Sequence, residues 1–180
     1  PRDTHRRLLQ SAQTEGLKQN NMAKNPVTLQ TCLAAADIVA LVRSGASSAT
    51  AQVAAAKSRI DVNEQQITAW QHLDWQLADS QAKLIDQKNQ HGALAGVPVG
   101  VKDIIDTADM PSQYGSPIYK DNQTRGEASC VTLTKNAGGI IMGKTVTTEF
   151  AARGPGPTTN PHNPAHTPGG SSSGAAAAGG

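Results

Sequence analysis

Apolar residues in the first half of the chain recur at helical spacing. Over 28–44, Leu29, Leu33, Ala36, Ala40 and Leu41 fall on one face, Thr28 can cap the start and Gly45 can end it, which predicts an amphipathic helix. Ser47 or Ser48 opens a second, Ala-rich helix predicted to reach about Ile60. Asp74 opens a third, from Trp75 to about Gln90, closed near Gly92. The first half therefore reads as helical cover.

The pattern changes at Leu94. The run from Leu94 to Ile105 is β-branched and apolar, punctuated by Gly96, Pro98 and Gly100, as expected of a buried strand. A turn-rich loop with Pro111, Gly115 and Pro117 follows, then a predicted helix over about Ala128 to Asn136 and a strand over about Ile140 to Gly143. Helix alternating with strand over short connections implies an α/β layer structure with a mixed sheet covered by helices. The segment 154–170 holds Pro155, Pro157, Pro161, Pro164 and Pro168, which forbids regular structure. After it stand Gly169, Gly170, Ser171, Ser172, Ser173 and Gly174, and then four alanines.

Length adds a core to this picture: 180 residues suffice for one domain. With two Trp, two Tyr and one Phe, that core must be built from Ala, Val, Ile and Leu, which demands close packing. Lys plus Arg (16) nearly balances Asp plus Glu (14), and the basic residues are scattered, so neither nucleic acid nor an anionic membrane is an implied partner. The apolar stretch from Leu33 to Val42 contains Asp37 and is too short to span a bilayer. Cys32 and Cys130 have no metal-type spacing and make no disulfide framework, which leads to an expectation of a reduced, cytoplasmic protein. Residues 1–21 are polar, carry Arg2, Arg6 and Arg7, and lack the apolar stretch of a signal peptide. They are expected to be a leader upstream of a natural start at Met22.

Several local patterns invite chemistry. Gly138-x-x-x-x-Gly143-Lys144-Thr145 matches the phosphate-loop spacing, but a helix precedes it, Ile140, Ile141 and Met142 fill the would-be loop, and β-branched residues follow; a helix–turn–strand junction is expected instead. His162 and His166 would share a helix face for zinc, yet the surrounding prolines forbid that helix, so no metal is expected. Cys130 is expected to be a buried small apolar side chain rather than a nucleophile. The serine triplet between glycines reads on composition as a flexible linker. The alanines after it instead place the serines at a helix N-terminus, where free backbone N–H groups collect. A lysine on a strand is usually a snorkelling surface residue, but Lys102 sits inside an apolar run; if that strand is buried, a lysine taken out of water is easier to hold neutral, the form a general base requires.

Taken in order, Gly96 to Asp103, Gly143-Lys144-Thr145 with Glu149-Phe150-Ala151, Asn160-Pro161-His162-Asn163-Pro164 and Pro168 to Gly174 resemble the amidase signature family, strongly over about 92–178 and loosely before it. The resemblance implies a Ser-cisSer-Lys triad. Lys102 matches the catalytic lysine, and Ser171 matches the bridging serine preceded by a cis bond. Gly169 and Gly170 supply backbone freedom for that turn, and Ser172 and Ser173 are supporting candidates. The family's nucleophile lies about two dozen residues beyond the bridging serine in a Gly-Gly-Ser turn, so it is expected outside this chain. On this reading 22–180 is the N-terminal part of one amidase-like domain, 22–92 being cover and 93–180 carrying the sheet and catalytic motifs. The domain would be incomplete at its C-terminus. The implied activity is hydrolysis of a linear carboxamide C–N bond in a small-molecule substrate, through an acyl-enzyme and without a cofactor. A homodimer is compatible with the sequence. The alternative is a non-catalytic, amidase-derived scaffold that binds a small ligand.

Overall fold

The structure is a computed structural model that describes residues 33–88, 92–152 and 154–179. The expected leader over 1–21, the start at Met22, the Thr28 cap, Leu29, Cys32 and the third helix's end at Gln90 lie outside the described residues.

Helix α1 spans Ala35–Ser44, and Gly45 ends it at φ 72° with its N–H on the Val42 carbonyl. The face it buries is not the predicted one. Ile38, Val39 and Val42 turn inward, while Leu33 precedes the helix and is half exposed. The larger β-branched side chains remove more apolar area from water than Ala36 and Ala40 could, and they set the rotation.

Helix α2 runs Ala49–Ile67, seven residues past its expected end. No Gly or Pro interrupts 60–67, and the helix stops where Thr68 turns left-handed at φ 52°. The Glu64 carboxylate then accepts the Ala69 and Trp70 amides at 3.1 and 2.8 Å, turning the chain into strand β1 (Trp70–Leu73). This strand corrects the expectation that everything before residue 93 is helical cover. Its four residues, Trp-Gln-His-Leu, show neither strong β-branching nor a turn signal on both sides.

Helix α3 (Trp75–Asp86) begins as expected at Asp74, whose side chain accepts from the Leu77 amide at 2.8 Å. Asp86 at its far end caps α2 from a distance, accepting the Ala49 and Thr50 amides at 2.6 and 3.1 Å.

Strand β2 covers Pro98–Lys102, helix α4 Ser129–Asn136 and strand β3 Ile140–Thr145. The sheet order is β1-β3-β2, with β1 antiparallel and β2 parallel to β3. The central strand β3 is buried throughout, whereas β2 at the edge is half-buried with Gly100 exposed. The predicted buried strand is thus an edge strand among the described residues, and the full burial belongs to β3. Cys130 is likewise exposed, against expectation, because α4 turns Val131 inward.

Apolar side chains fill both faces of the sheet. One face carries Ile140 and Met142 against α1, α2 and α3 through Val42, Val53, Ala78 and Ala82; Ile141 and Val101 face Met110 and Val131 on the other. Among the described residues no helix is long and apolar enough to cross a membrane.

Candidate active site

Both parallel strands end at the same edge of the sheet, and Lys102 and Thr145, their last residues, are register partners. Crevices beyond the carboxyl ends of parallel strands are where open α/β sheets collect their chemistry. Past β3 the chain passes through Val146, Thr147 and Thr148 and eventually returns as helix α5 (Ser173–Ala178).

Gly174 donates its amide to the Val146 carbonyl at 2.9 Å. A Cβ there would lie 2.2 Å from the Ala69 carbonyl oxygen and 2.3 Å from the Val146 nitrogen, so only glycine lets α5 come this close. Thr148 N–H donates to the Ser171 carbonyl at 3.0 Å. Held from both sides, Ser171 presents its Oγ 2.5 Å from Lys102 Nζ, and the peptide bond that precedes it, Gly170–Ser171, is cis.

The other sequence candidates divide. Gly169 adopts φ 88° and Gly170 lies against the Thr148 methyl, so both shape the turn. Ser172 is exposed and begins α5 without a side-chain cap. Ser173 is buried, its hydroxyl 3.4 Å from the Val146 carbonyl, and takes no part in the Lys102–Ser171 contact. The serines therefore stand at a helix start rather than in a flexible linker. His162 and His166 are exposed in an irregular loop, and no cluster of three metal-ligating side chains occurs among the described residues. The phosphate-loop pattern is a helix–turn–strand junction, with Lys144 inside β3.

A family model described as Amidase matches residues 51–180. The chain belongs to the amidase signature family. The glutamyl-tRNA(Gln) amidotransferase A-subunit of Streptomyces avermitilis is 36% identical over 156 residues, covering 81% of this chain and 31% of that protein. The chloroplastic/mitochondrial counterpart from Vitis vinifera is 46% identical over 103 residues, 52% of this chain and 18% of that one. Among solved structures, the peptide amidase of Stenotrophomonas maltophilia superimposes with a TM-score of 0.73 at 28% identity, over 88% of this chain and 34% of that one. A bacterial aryl acylamidase of the family gives 0.75 at 28%, over 81% and 32%. The chain thus spans about a third of the length of the first of these curated relatives.

Within this amidase-signature fold, sequence reasoning missed a buried polar cluster behind Lys102. Lys144 and Asp103 are both fully buried, with Nζ 3.3 Å from Oδ1. Lys144 also donates to Ser112 Oγ at 2.5 Å and to the Pro111 carbonyl at 3.3 Å, while both Asp103 oxygens accept from the Gln113 amide at 3.2 Å. Burial pulls the Lys144 amine below its ordinary range, and the Asp103 carboxylate acts in the opposite direction. The pair ties the ends of β2 and β3 to the 105–116 loop. Its sequence signal was a lysine directly after the apolar run from Ile140 to Gly143 and an aspartate beside Lys102.

Proposed function

We propose that Lys102 and Ser171 are the base and the bridge of a Ser-cisSer-Lys site that hydrolyses a linear carboxamide, with the nucleophilic serine contributed by sequence beyond Gly180. The observation that carries the reading is the 2.5 Å contact between Lys102 Nζ and Ser171 Oγ. Family membership supports it.

In this scheme neutral Lys102 takes the Ser171 proton while Ser171 takes the nucleophile's proton. The nucleophile adds to the amide carbonyl carbon, the C–N bond breaks, and the same relay returns the proton to the departing amine. Water then attacks the acyl-enzyme by the reverse proton path, releasing the acid. The chemistry is carried by side chains, and the substrate is a small amide.

A longer polypeptide that carries the nucleophile tests this. Lys102→Ala is expected to lower kcat/KM for amide hydrolysis by about 10²- to 10⁴-fold, the usual contribution of a positioned acid–base group. Unchanged turnover removes Lys102 from the mechanism. A fluorophosphonate should phosphonylate one serine in that polypeptide, with loss of fluoride, and none in the 180-residue chain; no adduct and no turnover in either favours a ligand-binding scaffold.

The names of the curated relatives favour a second reading, in which the same site works as one component of an amidotransferase. The two readings part on whether the protein hydrolyses free amides without partner proteins.

A further inference from the structure

Thr145 is 1% exposed, and its Oγ1 is a buried side-chain polar atom without a hydrogen-bond partner among the described residues. An orphaned hydroxyl forfeits roughly 1–3 kcal/mol of solvation, so such a group calls for an account of what it does. The β3 register pairs Thr145 with Lys102 on one side and with Trp70 on the other.

Register partners share a sheet face, and residues two apart on a strand share it too. The surroundings of Gly100 confirm the face: a Cβ there would come 2.8 Å from the Thr145 methyl and 2.9 Å from the Trp70 ring. Gly100 and Lys102 are two apart on β2, so the Thr145 side chain stands beside that of Lys102.

An ammonium has three protons to donate. Among the described residues the Lys102 amine has one partner, Ser171 Oγ. We propose that the Thr145 hydroxyl is a positioning group for Lys102, accepting a hydrogen bond from its ammonium once Lys102 has taken the proton from Ser171. This rests on the reading of Lys102 as the base. Among the described residues the hydroxyl has no partner while Lys102 is neutral and gains one when Lys102 carries the proton, and sites that break a local rule in this way are where function concentrates.

The charged groups on the surrounding elements are otherwise engaged or remote. Asp103 and Lys144 pair with each other, and Glu64 caps the Ala69 and Trp70 amides. His72 pairs in register with Lys144, and Asp106 accepts from the Tyr114 hydroxyl. None of these charged side chains hydrogen-bonds to the side chain of Lys102 or Thr145 among the described residues.

Competitive labelling of Lys102 with an amine-acylating reagent across pH, read by mass spectrometry on the 180-residue chain, tests the proposal without requiring turnover. Thr145→Val keeps the shape and removes the hydroxyl. It should leave the melting temperature unchanged or raise it, because it deletes an unpaired polar atom, and should move the Lys102 labelling midpoint to lower pH by about one unit, the scale of a hydrogen bond to a charged group. Thr145→Ser should retain the wild-type midpoint. In the longer polypeptide Thr145→Val should lower kcat about tenfold and leave KM alone.

An unmoved midpoint in Thr145→Val overturns the proposal, whatever happens to stability. Should the valine variant fail to fold, a shifted midpoint in the serine variant overturns it equally. Full activity of Lys102→Ala would instead remove the base assignment, a separate failure that leaves the labelling result standing.

Discussion

Replacing Lys144 with Met strands the Asp103 carboxylate in a site with no exposed surface, where among the described residues the Gln113 amide alone is left to hold its charge. Breaking one side of a buried pair costs about 3–5 kcal/mol. A domain of this size loses about 2–4 °C of Tm per kcal/mol, so the melting temperature should fall by roughly 6–20 °C. Asp103→Asn should cost less. Lys144 keeps Ser112 and Pro111 as acceptors, and its amine, already held below the ordinary range by burial, can shed its proton.

The two variants should respond to pH in opposite directions. A lysine whose folded value is depressed penalises the fold in its charged form. That penalty is complete below the folded value and disappears as pH rises toward about 10.4, the unfolded value. The Asp103→Asn deficit therefore shrinks with rising pH, and the Lys144→Met deficit shrinks as acid protonates the stranded carboxylate. The double variant buries no charge and should be more stable than Lys144→Met alone. Urea unfolding by circular dichroism at about pH 5, 7 and 9 checks all three statements. Equal pH slopes for the single variants, or a double-variant deficit equal to their sum, would refute the reasoning that the cost lies in uncompensated charge.

Three further outcomes follow from local geometry. Gly174→Ala should push α5 off the sheet, since the new Cβ meets backbone atoms at 2.2 and 2.3 Å; faster hydrogen exchange of the residue 174 amide, which bonds to Val146, is the readout, and unchanged protection counts against the close approach. Asp86→Ala removes acceptors for the Ala49 and Thr50 amides and should cost about 1–2 kcal/mol in denaturant melts; a change within noise would mean solvent caps α2 equally well. Burial raises the Glu64 carboxyl above its ordinary value of 4.5 against the opposing pull of the Trp70 and Ala69 amides. The stability this group lends is complete below that value and is lost as pH rises through the folded one. Wild type should therefore lose stability relative to Glu64→Gln as pH rises above 4.5, and a flat difference would contradict it.

Local chemistry alone determined much of this protein. Asp74 as a helix cap, Gly45 as a helix stop, the prolines of 154–170 and the alanines after the serine triplet act within a few residues of themselves, so their consequences are legible from neighbours in sequence. Lys102 and Ser171 became candidates through the order of motifs, which points to a family without giving any distance, and the structure brings the two side chains together. Tertiary structure alone decided the rest. Which face of α1 turns inward, which of two apolar strands is central, and that Trp70–Leu73 is a strand at all depend on what β3 pairs with, and pairing partners are chosen across 40 to 75 residues of chain. The burial of Lys144 against Asp103 and the unpartnered hydroxyl of Thr145 belong to the same class. A polar group's cost is fixed by the solvent and partners it loses on folding, and both are set by elements that sequence neighbours do not reveal.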